Sequence, residues 1–280
     1  MLLYFFIISF IFANINFGLQ MAIITLTSDW GTSDYYAAAV KGVILSQMPS
    51  ATIVDITHDI SPFNIAEAGF ALHNCYRNFP AGTIHIIAVE TIESDVYPHV
   101  VVKAHGQYFI STDNGIFSHI LDDEYEEAVF IDVEQDTNFY TFSTRDRFAK
   151  VAVMIAKGEP LSNIGAKREK LNNGGVFCAI VKNNNIIEGI VMHIDAYDNL
   201  ITNISKELFD EVGKGRSFII KVKGDLYTID ELSESYDDVD PLDPVAFFGT
   251  HGYLEIALNH AKMASLWGID IRSTIQVVFE

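Results

Sequence analysis

The chain has 280 residues, with 18 Lys+Arg against 37 Asp+Glu and a formal net charge of −19. Such a field repels phosphate backbones and anionic lipid headgroups, so nucleic acid and membrane surfaces are excluded as partners. The length allows one large or two modest domains, each able to bury a core, and two are expected.

Residues 1–20, MLLYFFIISFIFANINFGLQ, are apolar over much of their length. They lack the Lys/Arg n-region of a signal peptide and are short for a membrane span. MAIITLTSDWG reads as a true start at Met21. Residues 1–20 are therefore set apart as a misassigned upstream start or a signal segment. The expected location is cytoplasmic, or secreted or periplasmic if a signal is present.

From Met21 the chain alternates. AIITLTS (22–28) is a strand, DWGTSD a loop and YYAAAVKGVILSQM a helix. ATIVDIT (51–57) is the second strand, HDISPFN a loop and IAEAGFALHNCYRNF (65–79) a helix, before the third strand GTIHIIAVE (82–90). This order predicts a mostly parallel sheet whose binding crevice lies beyond the carboxyl ends of the strands, where Asp29, His58 and Glu90 fall. HVVVKAHGQYFIS (99–111) reads as a hairpin, DNGIFSHIL as a turn into a short helix, and RDRFAKVAVMIAKG (145–158) as a helix ended by glycine. The polar stretch KREKLNNGG is a linker, and the runs after it are short, β-rich and poor in helix. The expected organisation is an α/β N-terminal domain over 21–172 and a smaller all-β, barrel-like C-terminal domain over 173–280. Cys75 and Cys178, each inside an apolar run, read as buried thiols of a reducing compartment.

Several polar groups stand out. Asp29 and Asp34, in the first strand-to-helix loop, can accept hydrogen bonds from a vicinal diol or pair with an ammonium group; Ser33 or Asp34 equally suits a helix N-cap. No GxGxxG fingerprint is present, so a nicotinamide enzyme is not expected. His58, between Asp55 and Asp59, lacks a second histidine at ligand spacing and reads as hydrogen-bonded structure, not a metal ligand. In IDAYDNLITNI, Asp195, Tyr197 and Asn199 combine an aromatic face with an amide, suited to a purine, although an Asx turn gives the same letters. In FFGTHGYLEIALNHA, Gly249 and Gly252 allow close backbone approach to a ligand before an expected helix. AVETIESDVYPH places Glu90, Glu93 and Asp95 just past the third strand.

Taken in order, TLTSDWGTSDYY, KGVILSQMPSATIVDITHDISPFNIAEAGF, FPAGTIHI, STDNGIFSHI, RDRFAKVAVMIAKGEPLSNIG, IDAYDNLITNI and FGTHGYLEIALNHA resemble the S-adenosyl-L-methionine hydroxide adenosyltransferases, the adenosine-forming hydrolases related to fluorinase and chlorinase. The resemblance runs from about Ala22 to Glu280. It implies a homotrimer with each site between the N-domain of one subunit and the C-domain of its neighbour. It also implies S-adenosyl-L-methionine as substrate, with no cofactor and no metal. By the same resemblance Asp29 would hold the ribose diol, Phe63 would flank the ribose, and Asp34 with Asp195 would meet the methionine ammonium. Asn199 and the backbone around Asn259 and His260 would read adenine, Tyr197 would stack near it, and Thr250 with His251 would meet the methionine carboxylate.

The chain departs from the family at the corner that handles water. An aspartate, an arginine and a histidine are replaced by Glu90, Tyr97 and Ser143. Ser143-Thr144 is similar to the fluorinase, where a serine at the position of Thr144 helps bind fluoride, but Glu93 stands where a small hydroxyl residue is expected. A carboxylate there repels a halide and can instead orient water and accept its proton, so Glu90, Glu93, Ser143 and Thr144 are the candidate catalytic residues. The leading expectation is hydrolysis of S-adenosyl-L-methionine to adenosine and L-methionine by water attack at ribose C5′. The alternatives are a non-catalytic binder of that or another adenosyl compound, and displacement or hydrolysis on a different nucleoside.

Overall fold

The computed structural model describes residues 22–121, 124–135, 137–175 and 178–280; residues 1–20, with the question of start or signal, lie outside them. Two compact units divide the chain, Met1–Gly175 and Val176–Glu280, and each has its own core.

In the first unit the order is β1 (Ile23–Ser28), α1 (Tyr36–Gln47), β2 (Thr52–Thr57), α2 (Ile65–His73), β3 (Ile84–Ala88), β4 (His99–Ala104), β5 (Gln107–Thr112), α3 (Ile116–Leu121), β6 (Glu127–Phe130) and α4 (Ala149–Ala156). The strands lie side by side as β2-β1-β3-β5-β4-β6. β1 pairs in parallel with β2 and β3, and β3 in parallel with β5, while β4 runs antiparallel to β5 and β6. The sheet is thus mostly parallel with an antiparallel edge. Side chains of one strand point alternately to its two faces. Ile24, Leu26, Ile86 and Val101 pack with Val40 and Ile44 of α1 and Val153 of α4 on one face. Val100, Val102 and Phe109 pack with Leu72 of α2 and Phe117 of α3 on the other. Burial on both faces explains why the inner strands β1, β3 and β4 are rich in apolar residues, while β2 at the edge is partly exposed. Close packing of α2 on α3 demands Gly69, since a Cβ there would sit 2.3 Å from the Cβ of His119.

One polar cluster buried in this sheet is fully satisfied. His85 Nδ1 is 2.7 Å from Thr25 Oγ1, and His85 Nε2 is 3.0 Å from Gln107 Oε1. Gln107 Nε2 donates to the carbonyls of Phe79 and Tyr76 at 2.7 and 3.2 Å, so its oxygen faces His85 and the imidazole carries its proton on Nε2. Burial pushes the His85 pKa down to about 4.

The second unit contains β7 (Ile180–Lys182), β8 (Ile186–Ile194), β9 (Leu200–Ser205), α5 (Lys206–Gly213), β10 (Phe218–Val222), β11 (Tyr227–Ile229), β12 (Pro244–Phe248), β13 (Tyr253–Leu258), α6 (Met263–Trp267) and β14 (Thr274–Phe279). The strands run β11-β10-β14-β8-β9-β13-β12, with β7 added on β8, and every pairing among these described strands is antiparallel. The sheet curls so that its end strands β11 and β12 approach one another, which makes it a nearly closed barrel around Val191, Ile204, Ile220, Ile256 and Val277.

Two expectations are corrected here. No helix follows Gly252; Tyr253–Leu258 is β13, a buried, mostly apolar strand whose pairing with β9 and β12 overrides the glycine-to-helix reading. Cys178 is exposed and Cys75 only partly buried, so the thiols are free but not both interior. In addition, KELFDEVG forms α5, capped by Ser205 Oγ, which accepts from Leu208 N at 3.2 Å. Among the described residues no helix is long and apolar enough to cross a membrane.

Candidate active site

In the first unit the polar groups gather past the carboxyl ends of β1, β2 and β3. Asp29 directly follows β1, and its Oδ2 accepts the Phe63 N–H at 2.9 Å. Phe63 is exposed and holds φ at 65°, a left-handed conformation that is strained for an aromatic residue. The two residues assigned to the ribose are therefore brought together. Trp30, next in the chain, stacks on His58 with an interplanar angle of 10° and meets Phe142 edge-on at 5.6 Å. His58 acts as a brace: Ser28 Oγ lies 2.6 Å from its Nδ1, Asp55 Oδ1 lies 3.2 Å from its Nε2, and Lys41 pairs with Asp55 at 2.6 Å. That Nε2 contact is close but falls outside hydrogen-bond geometry. Asp34 is exposed and caps nothing, because α1 begins after Tyr35 without a side-chain cap.

Phe142 leads into Ser143 and Thr144, both buried, at the start of a π-helical turn, Thr144–Phe148, that precedes α4. Such turns recur at functional sites because the extra residue re-aims the side chains that follow. On this turn Arg145 forks onto Asp146 at 2.5 and 2.7 Å, and Thr137 Oγ1 donates to the same carboxylate at 2.8 Å. The Arg145 bond holds the Asp146 carboxyl below the usual range.

Arg147 on the same turn reaches the loop after β3. Its Nη1 donates to Glu93 Oε2 at 2.5 Å and lies 3.1 Å from His99 Nδ1, while Nη2 donates to the Ile131 carbonyl at 2.5 Å. His99 Nε2 faces the Thr91 carbonyl at 3.0 Å, so Nε2 bears the proton and Nδ1 offers a lone pair to Arg147. Burial lowers the His99 pKa, which keeps the ring neutral. Glu90 stands apart from this cluster. It is exposed with φ at 51°, its carbonyl accepts from Asn114 Nδ2 at 3.0 Å, and its carboxylate has no hydrogen-bond partner among the described residues.

The second unit has its own polar cluster. Asp195 Oδ1 accepts the N–H groups of Tyr197 and Asn199 at 2.9 and 2.8 Å, and Oδ2 accepts Asn199 Nδ2 at 3.1 Å, which is the Asx turn that its letters allow. Asn199 Nδ2 also lies 3.2 Å from Tyr236 OH and 3.4 Å from Glu255 Oε1. Tyr236 OH donates to Glu255 Oε1. His251 Nδ1 accepts Tyr253 N–H at 3.1 Å, so Nε2 bears the proton and donates to Glu255 Oε2 at 3.1 Å. Burial pushes the Glu255 carboxyl up, but the bonds from His251, Tyr236 and Asn199 outweigh it and hold the group below its ordinary value. Burial and Glu255 together push the Tyr236 phenol up. Gly249 packs closely against this pair, and a Cβ there would lie 2.5 Å from His251 Nε2, so a larger residue would displace the imidazole.

Asp195, Asn199 and His251 are thus brought together. Tyr197 and Thr250 are exposed, Asn259 Nδ2 turns to the Val239 carbonyl at 2.8 Å, and His260 is exposed 3.9 Å from Asp237. Arg147, His99, Tyr236 and Glu255 were not singled out from sequence. Glu255 had a signal, an acid inside the apolar run LEIAL; Arg147 lay in RDRF, which reads only as helix.

Residues 24–165 match the SAM hydroxide adenosyltransferase N-terminal domain and residues 189–276 the corresponding C-terminal domain. An (R)-S-adenosyl-L-methionine hydrolase of Methanocaldococcus jannaschii is 28% identical over 274 residues, covering 92% of this chain and 96% of that protein. A fluorinase of Actinopolyspora mzabensis is 26% identical over 291 residues, covering 91% and 96%. Among solved structures, an uncharacterized conserved protein from Thermotoga maritima aligns with a TM-score of 0.82 at 27% identity, covering 91% of this chain and 99% of that one. With both domains matched in order along one chain, the protein belongs to the SAM hydroxide adenosyltransferase family.

Proposed function

We propose that the protein hydrolyses S-adenosyl-L-methionine to adenosine and L-methionine. A water oxygen forms a bond to ribose C5′ as the C5′–S bond breaks. The electron pair of that bond goes to sulfur, methionine leaves as a neutral thioether, and the surplus proton of the water passes to a carboxylate and then to solvent. A sulfonium leaves readily, so the step depends on a positioned and partly desolvated nucleophile more than on acid catalysis.

The observation that carries this reading is the pair of carboxylates after β3, Glu90 and Glu93, on a chain whose relatives include proteins named as hydrolases. A halide 4 Å from an uncompensated carboxylate is repelled by about 4 kcal/mol at an effective dielectric constant near 20. Arg147 offsets the charge of Glu93, but nothing among the described residues pairs with Glu90. Water, in contrast, gains an acceptor there.

In this reading Asp29 holds the ribose diol and Phe63 flanks the ring. Asp34 and Asp195 take the ammonium group, and Asn199 with the Asn259–His260 backbone and Tyr197 takes adenine. Thr250 and His251 take the methionine carboxylate. Ser143 and Thr144 lie at the nucleophile corner. Homotrimeric assembly is part of the proposal, as is a cytoplasmic location, which the two free cysteines support.

Incubating the purified protein with S-adenosyl-L-methionine is expected to release adenosine and methionine in equal amounts, with label from 18O water in the 5′-hydroxyl. Release no greater than that of a Glu90→Gln, Glu93→Gln variant would overturn the reading. The second reading, binding without turnover, is favoured by Tyr97 and Ser143 in place of the family's arginine and histidine. Calorimetric binding with no adenosine formed would establish it.

A further inference from the structure

The cluster around Arg147 is the feature that the proposed reaction does not yet use. Glu93 is 42% exposed, whereas the Arg147 side chain is 13% exposed and that of His99 is fully buried. One guanidinium nitrogen, Nη1, serves both the carboxylate and the imidazole, and Nη2 is anchored on Ile131. His99 is fixed in turn by the Thr91 carbonyl and by the edge of Phe148 at 4.7 Å. The loop that carries Glu93 is itself tied down, with Tyr97 N donating to Ser94 Oγ at 3.0 Å and Asn172 Nδ2 donating to the Val96 carbonyl at 2.8 Å. Each atom that sets the direction of the Glu93 carboxylate is therefore held by another.

A surface ion pair kept for stability has no need of such an apparatus, because exposed pairs contribute little. Arg147 Nε is moreover buried with no hydrogen-bond partner. Native proteins rarely leave a donor in that state, and the exceptions call for an explanation such as a catalytic role or an oxygen that arrives with water or ligand. The π-helical turn is what delivers Arg147 to this corner from the segment that also carries Ser143 and Thr144.

We infer that Arg147 and His99 are positioning residues that hold the Glu93 carboxylate as the acceptor for the attacking water. This rests on the hydrolase reading above. His99, neutral and locked in one tautomer, fixes the guanidinium; the guanidinium fixes Glu93 Oε2 and leaves Oε1 to accept from the water. As the C5′–O bond forms, the water proton moves to Oε1 and from there to solvent, which reaches the half-exposed side chain.

The test is kinetic, with calorimetric dissociation constants for S-adenosyl-L-methionine measured alongside. Arg147→Lys is expected to lower kcat by tens of fold while the dissociation constant stays within about threefold. Glu93→Gln added to Arg147→Lys should cause little further loss, because the two act as one unit. His99→Leu, which keeps the volume and removes the acceptor, should fall like Arg147→Lys, and His99→Asn, which restores an oxygen near the Nδ1 position, should recover most of the loss. Melting curves identify any variant that fails to fold, and Arg147→Lys and Glu93→Gln, whose positions are not fully buried, decide the matter by themselves. A wild-type kcat in Arg147→Lys, or losses that multiply in the double variant, would overturn the inference while leaving the hydrolase reading intact. A wild-type protein that binds substrate without turnover would remove both.

Discussion

The polar clusters of the two units differ in how completely they close. In the second unit Glu255 receives hydrogen bonds from His251, Tyr236 and Asn199, and each of those groups is fixed by its neighbours. In the first unit the corner beyond β3 is open. Glu93 is partly exposed, Arg147 Nε has no partner, and the Glu90 carboxylate has none among the described residues. A closed network holds shape, whereas an open one keeps bonding capacity for something that arrives later. On the proposed reading, unspent hydrogen-bonding capacity is a better guide to the reacting corner than buried charge alone.

The largest expected effect falls on the closed side. Glu255→Leu leaves Tyr236, Asn199 and His251 without their common acceptor and is expected to cost about 3–5 kcal/mol of stability, read from denaturant midpoints. A change below about 1 kcal/mol would mean that the network is not as closed as its distances indicate.

His85 provides a closed network within the first unit. Its folded pKa of about 4 lies below the 6.5 of the unfolded chain, so the unfolded state binds more protons between these values. Its contribution is present in full above pH 6.5 and is lost as pH falls toward 4, roughly 3 kcal/mol across the window. Burial lowers His99 and His119 in the same sense. Comparing stabilities at pH 7 and pH 4.5, His85→Gln should show a visibly shallower loss than wild type.

On the open side the expected effect is on rate. Glu93→Gln should reduce adenosine release by about 100-fold, equivalent to about 2.7 kcal/mol of barrier, with a change in melting temperature of no more than a few degrees. Large destabilisation with unchanged rate would mean that Glu93 serves stability and not turnover. The smallest effect belongs to a site outside both clusters: Ser205→Ala removes the cap of α5 and should cost about 1 kcal/mol without altering turnover.

Much of the fold was legible because it is written in local periodicity. The buried runs IITLTS and IHIIA, separated by helices, identify strands covered on both faces, and His105-Gly106 with positive φ joins β4 to β5 as the glycine turn predicts. The short strands after Asn172 likewise spelled out an antiparallel barrel. The chain from Tyr253 was misread as helix because glycines just before it mimic a helix start, and only pairing with β9 and β12 made it β13.

The sequence by itself determined the two kinds of sheet, the acidic loops at their ends and the motifs of the family, since these depend on neighbours a few residues apart. It placed Asp29, Glu90, Glu93, Asp195 and Asn199 among the candidates. Only the tertiary structure decided their company. Arg147 is 54 residues from Glu93, and Glu255 is 56 residues from Asn199, and no local pattern encodes contacts of that reach. It also separated Glu93, which is held, from Glu90, which is not, although the two are three positions apart in one loop. A π-helical turn and a neutral histidine made that difference, and both arise from packing that forms only when the distant strands and helices have closed around them.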